Sequence, residues 1–324
     1  MSRSTTILTA VVAALALGLG ACSSAPGDGA ASGTSPQEVD LSKVTLKVGD
    51  QVAGTEEILR AAGRLEDSPY TIEWSSFTSG PPQIEALNAG QIDFAITGNT
   101  PPVIGGPTKT KVVSAYGDNG VGEAILVPAG SPVASVADLK GKKIAVARGS
   151  SAHGHVLMQL KKEGLSTSDV ELNFLQPADA KGAFENGQVD AWAVWDPFSS
   201  LAEIQGAKPV ARATGVTGSY NFGVASDKAL ADRQKEAALA DFLARVSEAY
   251  EWGSAHPEEW AQAYAQASGF DPQAAKLHTR SLRLPIALDD DVNGKQNELI
   301  DAFASDNLIK AFDFSTIVDR RFEK

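Results

Sequence analysis

The loop Arg148-Gly149-Ser150-Ser151-Ala152-His153 carries the residue types of an anion seat. It follows the apolar run Ile144-Ala145-Val146-Ala147 and opens a helical pattern that closes at Gly164, a good residue for ending a helix. The first N–H groups of a helix have no intrahelical acceptor and point at whatever sits in front of them. Gly149 lets a ligand approach the backbone, and Ser150 and Ser151 add hydroxyls beside the free amides. No Gly-Lys-Ser/Thr follows at the required spacing, so this is not a Walker A loop. A second helix start, Ser79-Gly80-Pro81-Pro82, admits two readings: plain capping by Ser79 or Gly80, or a further anion seat. Groups that make and break bonds are harder to find. The single cysteine is Cys22, and no nucleophile stands with a matched base. His153, His155, His256 and His278 lack zinc-type spacing with carboxylates, and His153 reads as a first-turn residue that packs. An anion can be held by such donors alone, so no arginine is required. The expectation is saturable binding without turnover, with no cofactor and no metal.

Two matching stretches would position these seats. Gly90-Gln91-Ile92-Asp93-Phe94-Ala95-Ile96-Thr97-Gly98-Asn99-Thr100-Pro101 and Gly187-Gln188-Val189-Asp190-Ala191-Trp192-Ala193-Val194-Trp195-Asp196-Pro197 each read as a turn, a mostly apolar strand and a polar helix start. Gly90 aligns with Gly187, Asp93 with Asp190 and Asn99 with Asp196. In the second copy a carboxylate before a proline suits an N-cap followed by the first helical position. The repeat predicts two related α/β lobes, and in open α/β sheets ligands sit beyond the carboxyl ends of the strands. Periodicity predicts further strands at residues 44–48, 70–74, 111–116, 123–127, 142–147, 169–175, 210–213 and 220–225. Trp74 reads as a packed residue. Gly117-Asp118-Asn119-Gly120 is the expected first crossing between lobes, and residues 220–225 carry the return. From Arg233 onward the pattern is helical, broken at Pro257, Gly269 and Pro272, with residues 313–324 as a last helix on the first lobe.

At 324 residues the chain is long enough for two domains. Its net charge of -12 argues against a nucleic-acid partner, which would demand a basic footprint. A small anion is still allowed, because local dipoles outweigh a diffuse negative field. After Arg3, residues 7–19 form an apolar run broken only by Thr9. This is far short of the ~20 residues of a membrane span and reads as a signal-peptide core. Leu19-Gly20-Ala21-Cys22 resembles the bacterial lipobox, in which cleavage leaves a lipid-modified cysteine; an ordinary secretory signal with an incidental cysteine is the alternative. The expected division is a lipoprotein signal peptide at 1–22, a flexible Ser/Ala/Gly/Pro tether at 23–42, lobe 1 at 43–117 and 222–324, and lobe 2 at 118–221.

The chain resembles the type II solute-binding proteins of ABC importers in the aliphatic-sulfonate, taurine and nitrate group. The marks are Ser79-Gly80-Pro81-Pro82, Gly90-Gln91-Ile92-Asp93, Thr97-Gly98-Asn99-Thr100-Pro101, Asp138-Leu139-Lys140-Gly141-Lys142-Lys143, Gly149-Ser150-Ser151-Ala152-His153, Pro177-Ala178-Asp179-Ala180 and Trp195-Asp196-Pro197. The resemblance implies an α/β fold of the type II periplasmic-binding-protein kind, with two lobes of mixed sheets joined by a two-strand hinge. It implies a monomer at the extracytoplasmic face of the cell membrane, held by its lipid anchor and served by a permease and an ATPase. The ligand would be a small anion, most simply an aliphatic sulfonate, held by Ser79, Gly80, Asn99, Thr100, Ser150 and Ser151. Trp195 and Asp196 match the opposite wall, and Gln51 matches a ligand-facing position. Where many relatives carry Asp after the Gly98 position, this chain has Asn99, which removes one negative charge. Nitrate or another small metabolite is the alternative ligand. An enzyme of the desulfinase or thiamine-precursor type is the alternative class, although no cysteine follows Cys22 to act as a desulfinase nucleophile.

Overall fold

The structure, a computed structural model, describes residues 39–52 and 54–323. The expected signal peptide, Cys22 and the tether up to residue 38 lie outside the described residues. In chain order the elements begin with β1 (Thr45–Gln51), α1 (Gly54–Ala61), β2 (Thr71–Phe77), α2 (Gly80–Asn88), β3 (Phe94–Gly98), α3 (Thr100–Gly105) and β4 (Thr110–Gly117). Next come β5 (Ala124–Val127), β6 (Lys143–Val146), α4 (Ser151–Lys162), β7 (Glu171–Phe174), α5 (Pro177–Glu185), β8 (Ala191–Val194), α6 (Phe198–Ile204) and β9 (Lys208–Arg212). The last group is β10 (Tyr220–Ser226), α7 (Asp227–Ala231), α8 (Arg233–Ala255), α9 (Pro257–Ser268), α10 (Pro272–His278), β11 (Leu284–Ile286) and α11 (Asp290–Ser305).

The strands form a six-stranded sheet, ordered β11-β4-β10-β3-β1-β2, and a five-stranded sheet, ordered β7-β6-β8-β5-β9. Both are mixed. β1 runs parallel to β2 and β3, and β6 runs parallel to β7 and β8. β10 is antiparallel to β3 and β4, and β5 is antiparallel to β8 and β9. The chain leaves the first sheet after Gly117 and returns to it at Tyr220. Every residue of β5 and of β8 is buried, which explains their apolar runs: strands covered on both faces need no polar alternation. Alternate residues of β3 serve opposite faces of the first sheet. Phe94 and Ile96 pack with Phe242 and Tyr250 of α8, whereas Ala95 packs on the side of α2 and α11. Trp74 is partly buried against Phe242, at 6.1 Å between ring centroids, as a packed residue should be.

The internal repeat has a physical counterpart in each sheet. The amide of Asp93 donates to the Lys47 carbonyl at 2.7 Å, and the Asp93 carboxylate accepts the Lys47 amide at 2.9 Å. Asp190 makes the same reciprocal pair with Lys143, at 2.9 and 2.8 Å. Each aspartate therefore extends the ladder of its parallel strand pair by one residue past the strand start, and the glycine before it, at positive φ, makes the turn that delivers it. Asp93 is additionally paired with Lys235 of α8, whose ammonium reaches both carboxylate oxygens at 2.7 Å.

Four expectations are revised. The folded part begins earlier than residue 43, because Leu41–Lys43 forms a 3₁₀ turn capped by Asp40 and Leu41 packs on the first core. β11 interrupts the expected all-helical end; it is a three-residue edge strand with Pro285 at its centre, too short to show an alternation. Residues 313–324 are not a helix. Phe314–Ile317 turns as 3₁₀, after which Val318 bridges Val112 of β4 and the Asp319 amide donates to the Val112 carbonyl instead of continuing a helix. Finally, α6 starts at Phe198, as its helical pattern over 198–205 suggests, but its N-cap is Pro197 and not Asp196.

Candidate functional site

The carboxyl ends of β1, β3, β6 and β8 meet around a cavity of about 120 Å³ between the two sheets. Of the residues expected there, Gln51, Gly80, Asn99, Ser150, Ser151, Trp195 and Asp196 line it. Ser79, Thr100 and Gly149 do not. Ser79 is fully buried, and its hydroxyl donates to Gln176 Oε1 at 3.0 Å, where Thr78 also donates at 3.1 Å. These bonds tie the first sheet's side to the second's. Thr100 sits against Gly154 of α4, where a Cβ would run into its hydroxyl. Gly149, at φ +73°, turns the chain into α4 beneath Pro81 and Ile104. Its conformation is required, although its own surface is covered.

The three helix mouths are not equivalent. α2 opens Gly80-Pro81-Pro82 and α3 opens Thr100-Pro101-Pro102, and proline has no N–H to offer. α4 opens Ser151-Ala152-His153, with an amide at each position, and runs for 12 residues. Ser150 is its N-cap. The Ser150 hydroxyl donates to the Ala147 carbonyl at 2.7 Å and accepts from the His153 amide at 3.4 Å, so it holds the helix start in place and is not free for a ligand. The amides of Ser151 and Ala152 belong to the turn in which the helix itself supplies no acceptor. Ser151 lines the cavity against Gly98, where an added Cβ would lie 2.8 Å from the Ser151 Cβ. His153 packs edge-on between Phe174 and Phe303, at 5.2 Å from each, and burial lowers its pKa to about 4, so it is a neutral packing residue.

On the opposite wall the Asp196 carboxylate divides its work. Oδ1 accepts the Ser200 amide at 3.0 Å and the hydroxyls of Ser199 and Ser200, which fixes the start of α6. Oδ2 is buried with no hydrogen bond, 3.6 Å from Arg280 Nε. Gln51 spends its amide donors on Gln83 and the Ile96 carbonyl, at 2.8 and 3.2 Å, and so faces the cavity as an acceptor. The Asn99 side-chain oxygen accepts from Thr100 at 2.9 Å, which leaves its NH₂ for a ligand.

The wall also contains Asp118, Glu123, Tyr250, Trp260, Tyr264 and Arg283, none of them singled out from the sequence. Asp118 accepts from the Gly120 amide at 2.6 Å and from Asn221 at 3.1 Å, which ties the outgoing crossing to the returning strand, and burial raises its pKa. Arg283 donates to the Tyr250 hydroxyl at 3.3 Å and brings a guanidinium to the lining. Asp118 lies in the expected crossing, and Glu123 is a lone charge opening an apolar strand; both were weak signals. The others come from the helical C-terminal third, where nothing in the local pattern separates a cleft-facing aromatic from a core one.

Two mixed sheets that present strand ends and a helix mouth to a shared cavity define the type II periplasmic-binding-protein class. The chain belongs to the NMT1/THI5-like family, whose sequence profile matches residues 78–260. A Bacillus subtilis (strain 168) relative, named as an aliphatic sulfonates-binding protein, is 31% identical over 303 residues, covering 91% of each chain. An Escherichia coli (strain K12) relative of the same name is 39% identical over 172 residues; the match spans 52% of this chain and 54% of that one, so about half its length. Among solved structures, the alkanesulfonate-binding protein SsuA from Xanthomonas axonopodis pv. citri, bound to MOPS, superposes with a TM-score of 0.77 at 32% identity, covering 85% of this chain and 98% of that one.

Proposed function

We propose that this protein is the extracytoplasmic substrate-binding component of an ABC importer, capturing a small organic anion of the aliphatic sulfonate class in its cleft and handing it to a membrane permease and its ATPase. The observation that carries this reading is the α4 mouth, where Ser151 lines the cavity with an amide that the helix leaves without an acceptor, in a chain 32% identical to an alkanesulfonate-binding protein across 98% of that protein. Micromolar affinity needs about 8 kcal/mol net. Hydrogen bonds to a charged group contribute roughly 1.5–3 kcal/mol each, and a partly buried helix terminus up to about 2 kcal/mol. Contacts from Ser151, Gly80 and Asn99, with the α4 terminus, reach that range, and Gln51, Trp195 and Asp196 meet the organic part. We read the protein as one that binds and does not catalyse, in keeping with the relatives named for sulfonate binding that it matches over 91% and 98% of their lengths. In this reading residues 43–117 and 222–324 move as one lobe against 118–221, as a monomer, with the two crossings as hinge.

A thermal-shift series tests the ligand class. Short alkyl sulfonates should raise the melting point, by the equivalent of about 2.7 kcal/mol at a hundred times Kd, with no product formed. A response only to nitrate or to neutral metabolites would reject the sulfonate reading. Localisation is tested separately. Residues 1–22 act as a lipoprotein signal peptide and Cys22 as the anchor, so Cys22→Ser should move the protein from the membrane fraction to the soluble one. Retention in membranes rejects the anchor.

A further inference from the structure

Glu123 immediately precedes β5, where the chain enters the second sheet, and it lines the cavity beside Ser151. Its side chain is 14% exposed, and Oε1 is buried with no hydrogen-bond partner. Among the described residues its nearest basic group is His155 Nδ1 of α4, at 3.8 Å. That imidazole is fully buried and neutral. Gln159 Nε2 donates to the Arg212 carbonyl at 2.9 Å, which fixes the amide's orientation, and the same nitrogen lies 3.0 Å from His155 Nε2. His155 Nε2 is therefore the acceptor, and its one ring proton sits on Nδ1. Burial lowers the His155 pKa to about 4, so the ring does not supply a counter-charge. The other charged groups do not supply one either. Asp118 is a like charge, Arg212 of β9 is engaged by Glu203 and the Val121 carbonyl, and Arg283 faces Tyr250 and Asp118.

An ionised Glu123 would lie uncompensated beside the very amides that attract an anion. We propose that Glu123 enters the cleft as a neutral carboxylic acid and donates its proton in a hydrogen bond to the bound anion, so that the site holds an anion only while Glu123 keeps its proton. This rests on the anion-binding reading of the same cleft. Burial, reinforced by Asp118 and partly offset by the Ser151 hydroxyl, raises the Glu123 pKa to about 8, so the acid form is the resident one at neutral pH. A carboxyl kept neutral by its surroundings is a hydrogen-bond donor, as a carboxylate is not. The sign follows directly. The anion favours the protonated form, so affinity is full below the Glu123 pKa and is lost as pH rises through it.

The test measures binding of butanesulfonate, which has no titratable group, to the intact folded protein in an amine buffer. For the wild type, Kd should be level from about pH 6 to about pH 7.5 and then rise by up to about tenfold per pH unit above about pH 8. Glu123→Gln keeps a donor and the shape but cannot ionise, so it should bind within about threefold of the wild type at low pH and show no rise. A ligand-free readout accompanies it. Unfolded glutamate ionises near its ordinary pKa while Glu123 holds its proton, so the wild type should lose melting temperature relative to Glu123→Gln from about pH 4.5 to about pH 8 and then level off. A wild-type Kd that stays level to about pH 9.5, or an equal rise in Glu123→Gln, overturns the proposal while leaving the sulfonate reading intact. Butanesulfonate failing to bind at any pH overturns both, and the melting curves still report whether Glu123 holds its proton.

Discussion

Asp93→Ala should cost about 3 kcal/mol of folding stability, and Asp190→Ala only about 1–2 kcal/mol, as read from urea midpoints of the ligand-free protein. The two aspartates occupy matching places in the repeat and make the same reciprocal pair with the neighbouring strand. They differ in what surrounds them. Asp93 has a side chain 6% exposed, and it holds the Lys235 ammonium through both oxygens, thereby fastening α8 to the first sheet. Removing one partner of a buried pair leaves the other without compensation, at a typical cost of about 3–5 kcal/mol. Lys235 keeps 24% exposure and can turn toward water, which places the effect at the lower end of that range. Asp190 has no such cation within 4.0 Å among the described residues, so its removal leaves only the Lys143 amide unpaired. Equal losses at the two positions would mean that Lys235 contributes nothing and that the ladder extension alone matters.

The second large effect is on binding. Ser151→Pro should weaken sulfonate affinity by roughly 10- to 100-fold, the equivalent of one charged hydrogen bond of about 1.5–3 kcal/mol, with little change in melting point. Proline removes the first amide of α4 but suits the first helical position, where the N–H has no intrahelical partner. The preceding residue is already placed for it: Ser150 has φ -75° and ψ 169°, the extended conformation that a following proline demands. Ser151→Ala is the companion, since it removes the hydroxyl and keeps the amide, and it should lose far less. Calorimetric titration of both variants separates the two donors. If Ser151→Pro binds as tightly as the wild type, the anion does not sit at α4. Replacing Ser150 would be a poor probe of the same point, because its hydroxyl caps the helix and the variant would report on folding.

The fold was readable where a local pattern and a long-range role coincide. The glycine turn, the aspartate and the apolar run of each repeat announce a buried strand, and burial on both faces is what β5 and β8 then show. The Gly149 loop was readable because a strand, a positive-φ residue and a capping serine leave few alternatives to a helix mouth. Positions set by distant contacts were not. β11 exists because β4 offers it an edge, and the last residues follow β4 instead of coiling because Val112 receives Val318. In the site, three-residue motifs at helix starts were legible, but the direction of each side chain was not. Ser79 turns to Gln176 and Thr100 to the back of α4, since neighbours contributed by the other half of the chain decide both. Glu123 and Arg283 lie 160 positions apart in sequence and reach one cavity only through the crossings, so no window along the chain contains both.

The outermost strands carry a last consequence. β9 and β11 each form one edge of their sheets, opposite β7 and β2, and each contains a proline, Pro209 and Pro285, so these two edges lack a donor where an incoming strand would need one. A rim interrupted in this way is a poor template for templated aggregation.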